Sequence, residues 1–395
     1  MKMPLILLSL CTALSLTACN GGSSDANNTN GNEISPANAS SSTTTRNTAN
    51  LSAKERLGQK LFYDTRFSSP PGLACASCHD PANSFTDPDK QFPTSAGAVS
   101  GRFDERHTPS NAYATFSPDF HYDTTLNSYV GGLFWDGRAT NLAAQALGPF
   151  LEPTEMANPD PVTVVNKLKV TDYTDLVREV YGQDILDDVA RAYTSMGDAI
   201  AAYEKTAFFH PFDSKYDAYL AGKTTLNEQE AEGLKLFNDP AKGNCATCHT
   251  SSTTANGTPP LFTNFAYANI GLPVNPAIDL PIDLDASDFK DYGLGGRLEM
   301  TSNERGKFKV PTLRNIAKTS PYGHNGIFAD LREMVAFHNA RDTETGRWDV
   351  PEVNSNLDNR VGKLGLTDAE IDAIVAFLAT LTDGYTLSAK NQPSP

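Results

Sequence analysis

The chain has 395 residues, of which 39% are hydrophobic and 20% charged, ordinary values for a globular protein with room for two or three domains. Acidic residues outnumber basic ones by 47 to 32, which gives a formal net charge of −15 at pH 7. This balance argues against nucleic acid as a partner, because nucleic-acid binding depends on Lys and Arg side chains that neutralise phosphates.

The chain begins with a predicted export signal. Residues 1–19 read MKMPLILLSLCTALSLTAC, an apolar run after an early lysine that is too short for a comfortable transmembrane helix. Its last four residues, LTAC, resemble the bacterial lipobox, in which the cysteine is lipidated after cleavage; an ordinary signal peptide cut nearby is the alternative. Residues 20–50 are mostly Asn, Ser, Thr and Gly and predict a flexible tether. We therefore expect a periplasmic protein that is lipid-anchored to the membrane through Cys19.

One sequence unit then occurs twice. Residues 57–64 read LGQKLFYD and residues 233–239 read GLKLFND, and each stretch precedes a Cys-x-x-Cys-His motif. The apolar spacing in both predicts an amphipathic helix with one buried face. A cytochrome c domain begins in this way, so we expect two such domains in tandem, at residues 51–222 and 223–385, with a tail at 386–395.

The remaining pattern is helical. Further helices are predicted at about 162–181, 184–206, 226–238, 330–339 and 367–381, and the last begins with a Thr-x-x-Glu capping box from Thr367 to Glu370. Strand signals are few, and long loops rich in Pro, Gly and Asn lie between the helices, for example at 80–133 and 250–320. The predicted fold class is mostly α, with long loops that suit a chain packed around large cofactors.

The two motifs, ACASCHD at 74–80 and NCATCHT at 244–250, predict covalently bound haem c. In Cys-x-x-Cys-His the thiols form thioether bonds to the haem and the histidine ligates its iron. A zinc site or a thioredoxin-type pair shares the cysteine spacing but does not explain a histidine after both pairs. The predicted attachment residues and proximal ligands are Cys75, Cys78 and His79 for the first haem, and Cys245, Cys248 and His249 for the second.

Other motifs add a family resemblance. FWDGRA stands at 134–139, with Gln145 and Glu155 after it, and the second half carries VPTLRN at 310–315 and PYGHNG at 321–326. Together, in this order and over residues from about 51 to 381, these motifs resemble the bacterial dihaem cytochrome c peroxidase family, which includes the MauG enzymes.

The resemblance implies roles for three residues. In the family the N-terminal haem reacts with hydrogen peroxide, and the C-terminal haem stores or relays an electron. Trp135 matches the tryptophan that couples the two irons, although a tryptophan met alone is more often a core aromatic. Glu155 matches the distal glutamate that moves protons during O–O cleavage. Gln145 matches a glutamine that positions groups in the same pocket.

The chain departs from the family at the first haem. In members that need prior reduction, a histidine after a Thr-Ser-x-Gly stretch blocks the peroxidatic iron, and here that position is Ala98. A methyl group cannot coordinate iron, so we expect a five-coordinate first haem unless His107 or His121 moves in. This expectation resembles the MauG branch, which needs no activation.

At the second haem, the family's sixth ligand is methionine in peroxidases and tyrosine in MauG, and it maps onto His338. We expect a His249/His338 pair, which favours ferric iron relative to a thioether ligand; a surface histidine on the predicted helix is the alternative. His324 matches a family position near the second haem, where we expect a hydrogen-bonding group and not an iron ligand, and His121 and His210 have no assigned role.

Calcium is left open. His107 falls where the family usually has an asparagine that serves a calcium site between the domains, and calcium prefers oxygen over imidazole nitrogen. The family's carbonyl ligands would map to Thr319 and Pro321.

The predicted function is a dihaem c-type peroxidase that reduces hydrogen peroxide at the N-terminal haem. Its electrons would come from a small cytochrome c or cupredoxin, or from a protein substrate as in MauG. A non-catalytic dihaem electron-transfer cytochrome is the alternative, and it explains the motifs and His338 but not Glu155 or Ala98. A haem-based sensor ranks last, for want of an output module. The electron donor, the haem potentials and dimerisation are left open by the sequence.

Overall fold

The computed structural model describes residues 50–278 and 290–387. The predicted signal, nearly all of the predicted tether and most of the predicted tail lie outside these described residues. Within them, none of the helices has both the length and the apolar character needed to cross a membrane.

The described chain is mostly α, as predicted, and its few strands form two small antiparallel sheets. The helices are α1 (Ala53–Tyr63), α2 (Cys75–Cys78), α3 (Leu142–Gln145), α4 (Gly148–Leu151), α5 (Pro161–Lys169), α6 (Thr174–Tyr181), α7 (Val189–Glu204), α8 (Lys215–Leu220), α9 (Glu228–Asn238), α10 (Leu331–Ala340) and α11 (Asp368–Ala379). The strands are β1 (His121–Asp123), paired with β2 (Ser128–Val130), and β3 (Tyr267–Ala268), paired with β4 (Phe308–Lys309).

The predicted helix starts rest on side-chain caps. Ser52 and Glu55 form a capping box at the start of α1, and Thr367 and Glu370 form the predicted one at the start of α11. Asn227 caps α9 in the same way. These caps satisfy amide groups that the first helical turn leaves without partners.

Two predicted helices are shorter than expected. The stretch predicted at 162–181 is two helices, α5 and α6, because the chain leaves the helix at Val170 and the hydroxyl of Thr171 donates to the Leu168 carbonyl at 2.9 Å. The stretch predicted at 184–206 becomes α-helical only at residue 189, where the side chain of Asp188 caps α7. In both places a short polar side chain bonds the main chain locally and competes with helix continuation.

Each half of the described chain has its own apolar core. In the first half α1 packs on α7, and its predicted buried face is confirmed: Leu57, Leu61 and Phe62 are each at most 1% exposed. In the second half α9 packs on α11. Tyr216 of α8, six residues before the predicted domain boundary, packs in this second core. The boundary itself stays a prediction.

The two helix crossings are built in the same way, around one glycine each. A Cβ atom on Gly58 of α1 would lie 1.9 Å from the carbonyl oxygen of Ala199 on α7. A Cβ atom on Gly233 of α9 would lie 1.9 Å from the carbonyl oxygen of Ala373 on α11. Only glycine permits this approach, so the sequence repeat encodes a repeated helix crossing.

We expect the substitution Gly233→Ala to lower the free energy of unfolding by about 2 kcal/mol, because overpacking of this kind costs roughly 1–3 kcal/mol. The added helix propensity of alanine, about 1 kcal/mol, offsets only part of a clash with main-chain atoms. Urea denaturation followed by circular dichroism measures the effect. The exposed Gln229 on the same helix provides the control Q229A, which should unfold like the wild type. Equal midpoints for G233A and Q229A would contradict the close crossing.

Candidate active site

The first Cys-x-x-Cys-His motif forms a single helical turn that carries its histidine inward. Helix α2 spans the two cysteines, and the N–H of His79 donates to the Cys75 carbonyl at 2.9 Å. The Nδ1 atom of His79 lies 3.1 Å from the carbonyl oxygen of Phe85. A carbonyl oxygen only accepts, so Nδ1 carries the proton and Nε2 keeps its lone pair. Burial lowers the pKa of His79 to about 4, which keeps that lone pair available at neutral pH.

The second motif repeats this arrangement. The N–H of His249 donates to the Cys245 carbonyl at 2.8 Å, and its Nδ1 atom donates to the carbonyl oxygen of Phe262 at 2.9 Å. Burial lowers the pKa of His249 to about 4. Both predicted proximal histidines therefore present Nε2 as the free ligand atom, oriented by a hydrogen bond to the main chain as metal-binding histidines usually are.

One cavity of about 350 Å³ joins the two motifs. Its wall contains every predicted site residue except Cys75, which packs against the first core. The predicted residues brought together are Cys78, His79, Trp135, Gln145, Glu155, Cys245, Cys248, His249, Thr319, Pro321 and His338.

The chemistry of this wall fits covalently attached haem. The four motif cysteines form no disulfide and stand in pairs beside a histidine with a free Nε2 atom. The cavity surface is also largely apolar, as a porphyrin face requires. Cys75, Cys78 and His79 would hold one haem, and Cys245, Cys248 and His249 the other.

His338 faces the same cavity from α10. Its Nδ1 atom donates to the Met334 carbonyl at 2.8 Å, one helical turn earlier, which leaves Nε2 free. Burial lowers its pKa, and it lies close enough to His249 to lower that residue's pKa as well. A cavity-wall imidazole with a free Nε2 atom is compatible with the predicted His249/His338 pair, which stays a prediction.

Trp135 is bonded to both halves of the molecule. Its indole N–H donates to the His107 carbonyl at 2.8 Å, and its own carbonyl accepts from the Lys309 N–H at 2.8 Å. Phe134 beside it has a φ angle of +63°, which bulky residues rarely adopt, and the guanidinium of Arg138 stacks over its ring at 3.6 Å. The chain therefore holds the indole at the wall that both motifs share.

Glu155 is a buried carboxyl group on the side of the cavity nearest the first motif. Burial raises its pKa to about 8; the carboxylates of Asp104 and Glu152 add to the effect, and Arg138 opposes it. The Glu155 carbonyl accepts from the Ala98 N–H at 2.7 Å. Ala98 is thus tied to the main chain of Glu155, and its methyl side chain is not in the cavity wall.

The two other histidines proposed to reach the first haem differ. His121 is exposed on β1, outside the cavity wall, and its Nδ1 atom lies 2.8 Å from the Asp119 carbonyl. His107 is buried in the wall, and its Nε2 atom has no hydrogen-bond partner. Its main chain is fixed at both ends, since its N–H donates to the His324 carbonyl at 2.7 Å and its carbonyl accepts from Trp135.

His324 lies in the cavity wall, with its ring stacked on Phe308 at a centroid distance of 3.5 Å. His210 is half-buried and bonds the Lys205 carbonyl, away from the cavity. Thr319 and Pro321 line the cavity, but across residues 50–278 and 290–387 no group of three His, Cys, Asp or Glu side chains could hold a metal ion. Calcium stays a prediction.

Several charged residues of the cavity wall have no predicted role from the sequence, among them Asp104, Arg106 and Lys309. The guanidinium of Arg106 donates to Asp136 at 2.7 Å and to both oxygens of Asp291, at 2.7 and 2.8 Å, so it joins the two halves. Lys309 directly precedes the VPTLRN motif, and Arg106 directly precedes His107. For Lys309 and Arg106, this position beside a motif or a histidine is the only signal of a role that the sequence offered.

Two helix-crossing domains that each present a Cys-x-x-Cys-His motif to one cavity define a dihaem protein of the cytochrome c class. The family model for di-haem cytochrome c peroxidase matches residues 52–225, and the model for cytochrome c matches residues 230–382. The chain belongs to the di-haem cytochrome c peroxidase family.

Individual relatives support the same family assignment. The chain is 41% identical over 344 residues to the methylamine utilization protein MauG of Paracoccus denitrificans, covering 83% of this chain and 88% of that protein. It is 34% identical over 335 residues to the cytochrome c551 peroxidase of Nitrosomonas europaea, covering 82% and 79%. The crystal structure of the diheme peroxidase BthA from Burkholderia thailandensis superposes with a TM-score of 0.76 at 35% identity, covering 87% and 91%. The chain is accordingly a MauG-like dihaem oxidoreductase that carries two haem groups.

If His338 ligates the second iron, the oxidised protein should give one low-spin and one high-spin electron paramagnetic resonance signal. The substitution His338→Ala should replace the low-spin signal with a second high-spin one, because alanine offers no ligand. The control is H210A, which removes a half-buried histidine outside the cavity and should leave the spectrum unchanged. A low-spin signal that persists in H338A would contradict this ligand assignment.

Proposed function

We propose that the protein reduces hydrogen peroxide at the His79 haem and that the His249 haem supplies or relays the electrons. The observation that carries this proposal is Glu155, a buried carboxyl group with a pKa of about 8, in the same cavity wall as His79. Electron transfer alone needs no such group, whereas peroxide cleavage does. The names of the relatives, several of which are peroxidases, support the same reaction.

When bound, the haem would supply an iron able to give electrons to peroxide and to store the resulting oxidising equivalents. The task of the chain is to move a proton. As a carboxylate, Glu155 accepts the proton from the oxygen nearer the iron and then donates it to the farther oxygen, which leaves as water. Overall, one peroxide, two electrons and two protons give two water molecules. A group whose pKa lies near the working pH performs both steps well.

The neighbours of Glu155 set this balance. Burial disfavours the carboxylate most, Asp104 and Glu152 repel it, and Arg138 stabilises it. Gln145 in the same wall carries an amide that can position the substrate oxygens. The pocket therefore holds a proton carrier that is neither fully ionised nor fully protonated close to neutral pH.

Trp135 would connect this chemistry to the second haem. It lies in the wall that both motifs share, and it bonds main-chain groups from both halves. Electrons would then arrive from a small redox protein, as the name cytochrome c551 peroxidase suggests, or from a protein substrate, as in MauG. The open position at Ala98 favours the second source, because it implies reaction with peroxide without prior reduction.

Mixing the ferric protein with hydrogen peroxide in a stopped-flow spectrometer tests the proposal. The haem spectrum should change without a reductant. The reaction rate should rise with pH and then level off, and the inflection of this pH profile should lie at pH 8 or below. The reactive form is the carboxylate, and a nearby ferric centre favours that form. The substitution Glu155→Gln should slow the reaction by about 10²–10⁴-fold and remove the pH dependence, because an amide accepts no proton.

The matched control is Glu152→Gln, which alters a neighbouring carboxyl group whose removal should lower the inflection without abolishing the reaction. An unchanged spectrum on mixing, together with two low-spin resonance signals, would favour the non-catalytic carrier. Wild-type rates in E155Q would leave the enzyme without its proposed proton carrier.

We further propose that the protein is periplasmic and lipid-anchored through Cys19, on the strength of the lipobox-like LTAC. In fractionated cells, the substitution Cys19→Ala should move the protein out of the membrane fraction, whereas C11A, within the same signal, should leave it there. If C19A stays with the membrane, the anchor is wrong. Calcium binding at Thr319 and Pro321 and formation of a homodimer likewise stay predictions from the sequence.

A further inference from the structure

Lys309 is a buried ammonium group at the junction of the two halves. It lies on β4, in the cavity wall, and its Nζ atom donates to the Gly132 carbonyl at 2.7 Å. Its main-chain N–H donates to the Trp135 carbonyl at 2.8 Å. One residue of the second half thus fixes both ends of the segment from Gly132 to Trp135.

Lys309 differs from the arginines of the cavity wall in its charge partners. Arg106 and Arg138 pair with Asp136, Arg314 pairs with Asp217, and Arg360 pairs with Asp358. Among the described residues, no carboxylate comes within 4.0 Å of Lys309. Its one bonded acceptor is a neutral carbonyl, which leaves two N–H donors of the ammonium group to be satisfied.

A buried ammonium group without an anion is costly. Burial lowers the pKa of Lys309 to about 8, and the more distant Asp136 offsets this only in part. Buried charges in proteins are normally paired. The cavity that Lys309 lines fits two haems, and each haem brings two propionate carboxylates. An anion of the right kind is therefore supplied by the cofactor.

We propose that the Lys309 ammonium binds a haem propionate and thereby ties that haem to the Trp135 segment. Lys309 is a positioning residue in this arrangement, since it acts on Trp135 through Gly132 and the main chain. Its positive charge also favours the reduced state of the nearer haem, because reduction removes one positive charge from the iron. The inference requires haem binding but no peroxide chemistry, so it goes beyond the proposed function.

Three substitutions separate charge from hydrogen bonding. K309R keeps the charge, K309Q keeps a donor towards the Gly132 carbonyl but loses the charge, and K309M loses both. The control is K307Q on the same segment, since Lys307 pairs with Glu304 and is outside the cavity wall. The full-length holoprotein of each variant would be titrated by spectroelectrochemistry after its haem content is measured.

We expect K309Q and K309M to lower the midpoint potential of one haem by about 59 mV, which corresponds to a tenfold shift in a one-electron equilibrium. K309R and K307Q should retain the wild-type potentials. Wild-type potentials in K309Q with a shift only in K309M would reduce Lys309 to a structural bond with Gly132 and overturn the proposal.

Resonance Raman spectra of the wild-type protein give a measurement that does not depend on folding of the variants. The propionate bending bands should include one at a hydrogen-bonded frequency, and that band should move in K309R, whose guanidinium has a different donor geometry. Bands typical of free propionates only would overturn the proposal. Because neither readout uses peroxide, failure of the peroxide reaction would leave this result standing, and the reverse also holds.

Discussion

The hydrogen bond from each proximal histidine to a main-chain carbonyl is the constraint on which the site depends. The bond from His79 to Phe85 and that from His249 to Phe262 fix which ring nitrogen carries the proton, and they turn the other nitrogen towards the shared cavity. Both carbonyls belong to loops rather than helices. The long loops of this chain therefore serve to orient ligands, and the crossed helices behind them serve to hold the loops in place.

The two motifs share one backbone arrangement, and the side chains around each motif histidine adapt it to a different use. Around the first motif the cavity wall carries Asp104 and Glu155, and burial, together with the carboxylates of Asp104 and Glu152, raises the pKa of Glu155 to about 8. Around the second motif it carries the imidazole of His338, fixed to its own helix by a bond to Met334. The first arrangement suits a small polar substrate. The second suits an iron that changes its charge while it keeps the same two histidine ligands. The difference resides in a few side chains and not in the backbone.

The sequence revealed the parts of the structure that follow from local chemistry. The motif residues, the capping box at Thr367 and the buried face of α1 could all be predicted, because each depends on neighbours close in the chain. Family spacing located Trp135, Glu155 and His338, which the structure brings to one cavity. The helix break at Val170 was missed, because apolar periodicity alone does not show where a threonine hydroxyl ends a helix. Lys309 was missed for a different reason: its role depends on burial and on the lack of a nearby carboxylate, which only tertiary structure reveals.

The crossing of α1 and α7 has a consequence for how the protein matures. Gly58 docks against Ala199, which lies more than a hundred residues later in the chain, so the first domain cannot close until that distant helix has been made. The thiols of Cys75 and Cys78 lie between these two points in the chain. The thiols therefore lie in a part of the chain that the crossing has not yet closed, so covalent attachment can precede folding instead of competing with it.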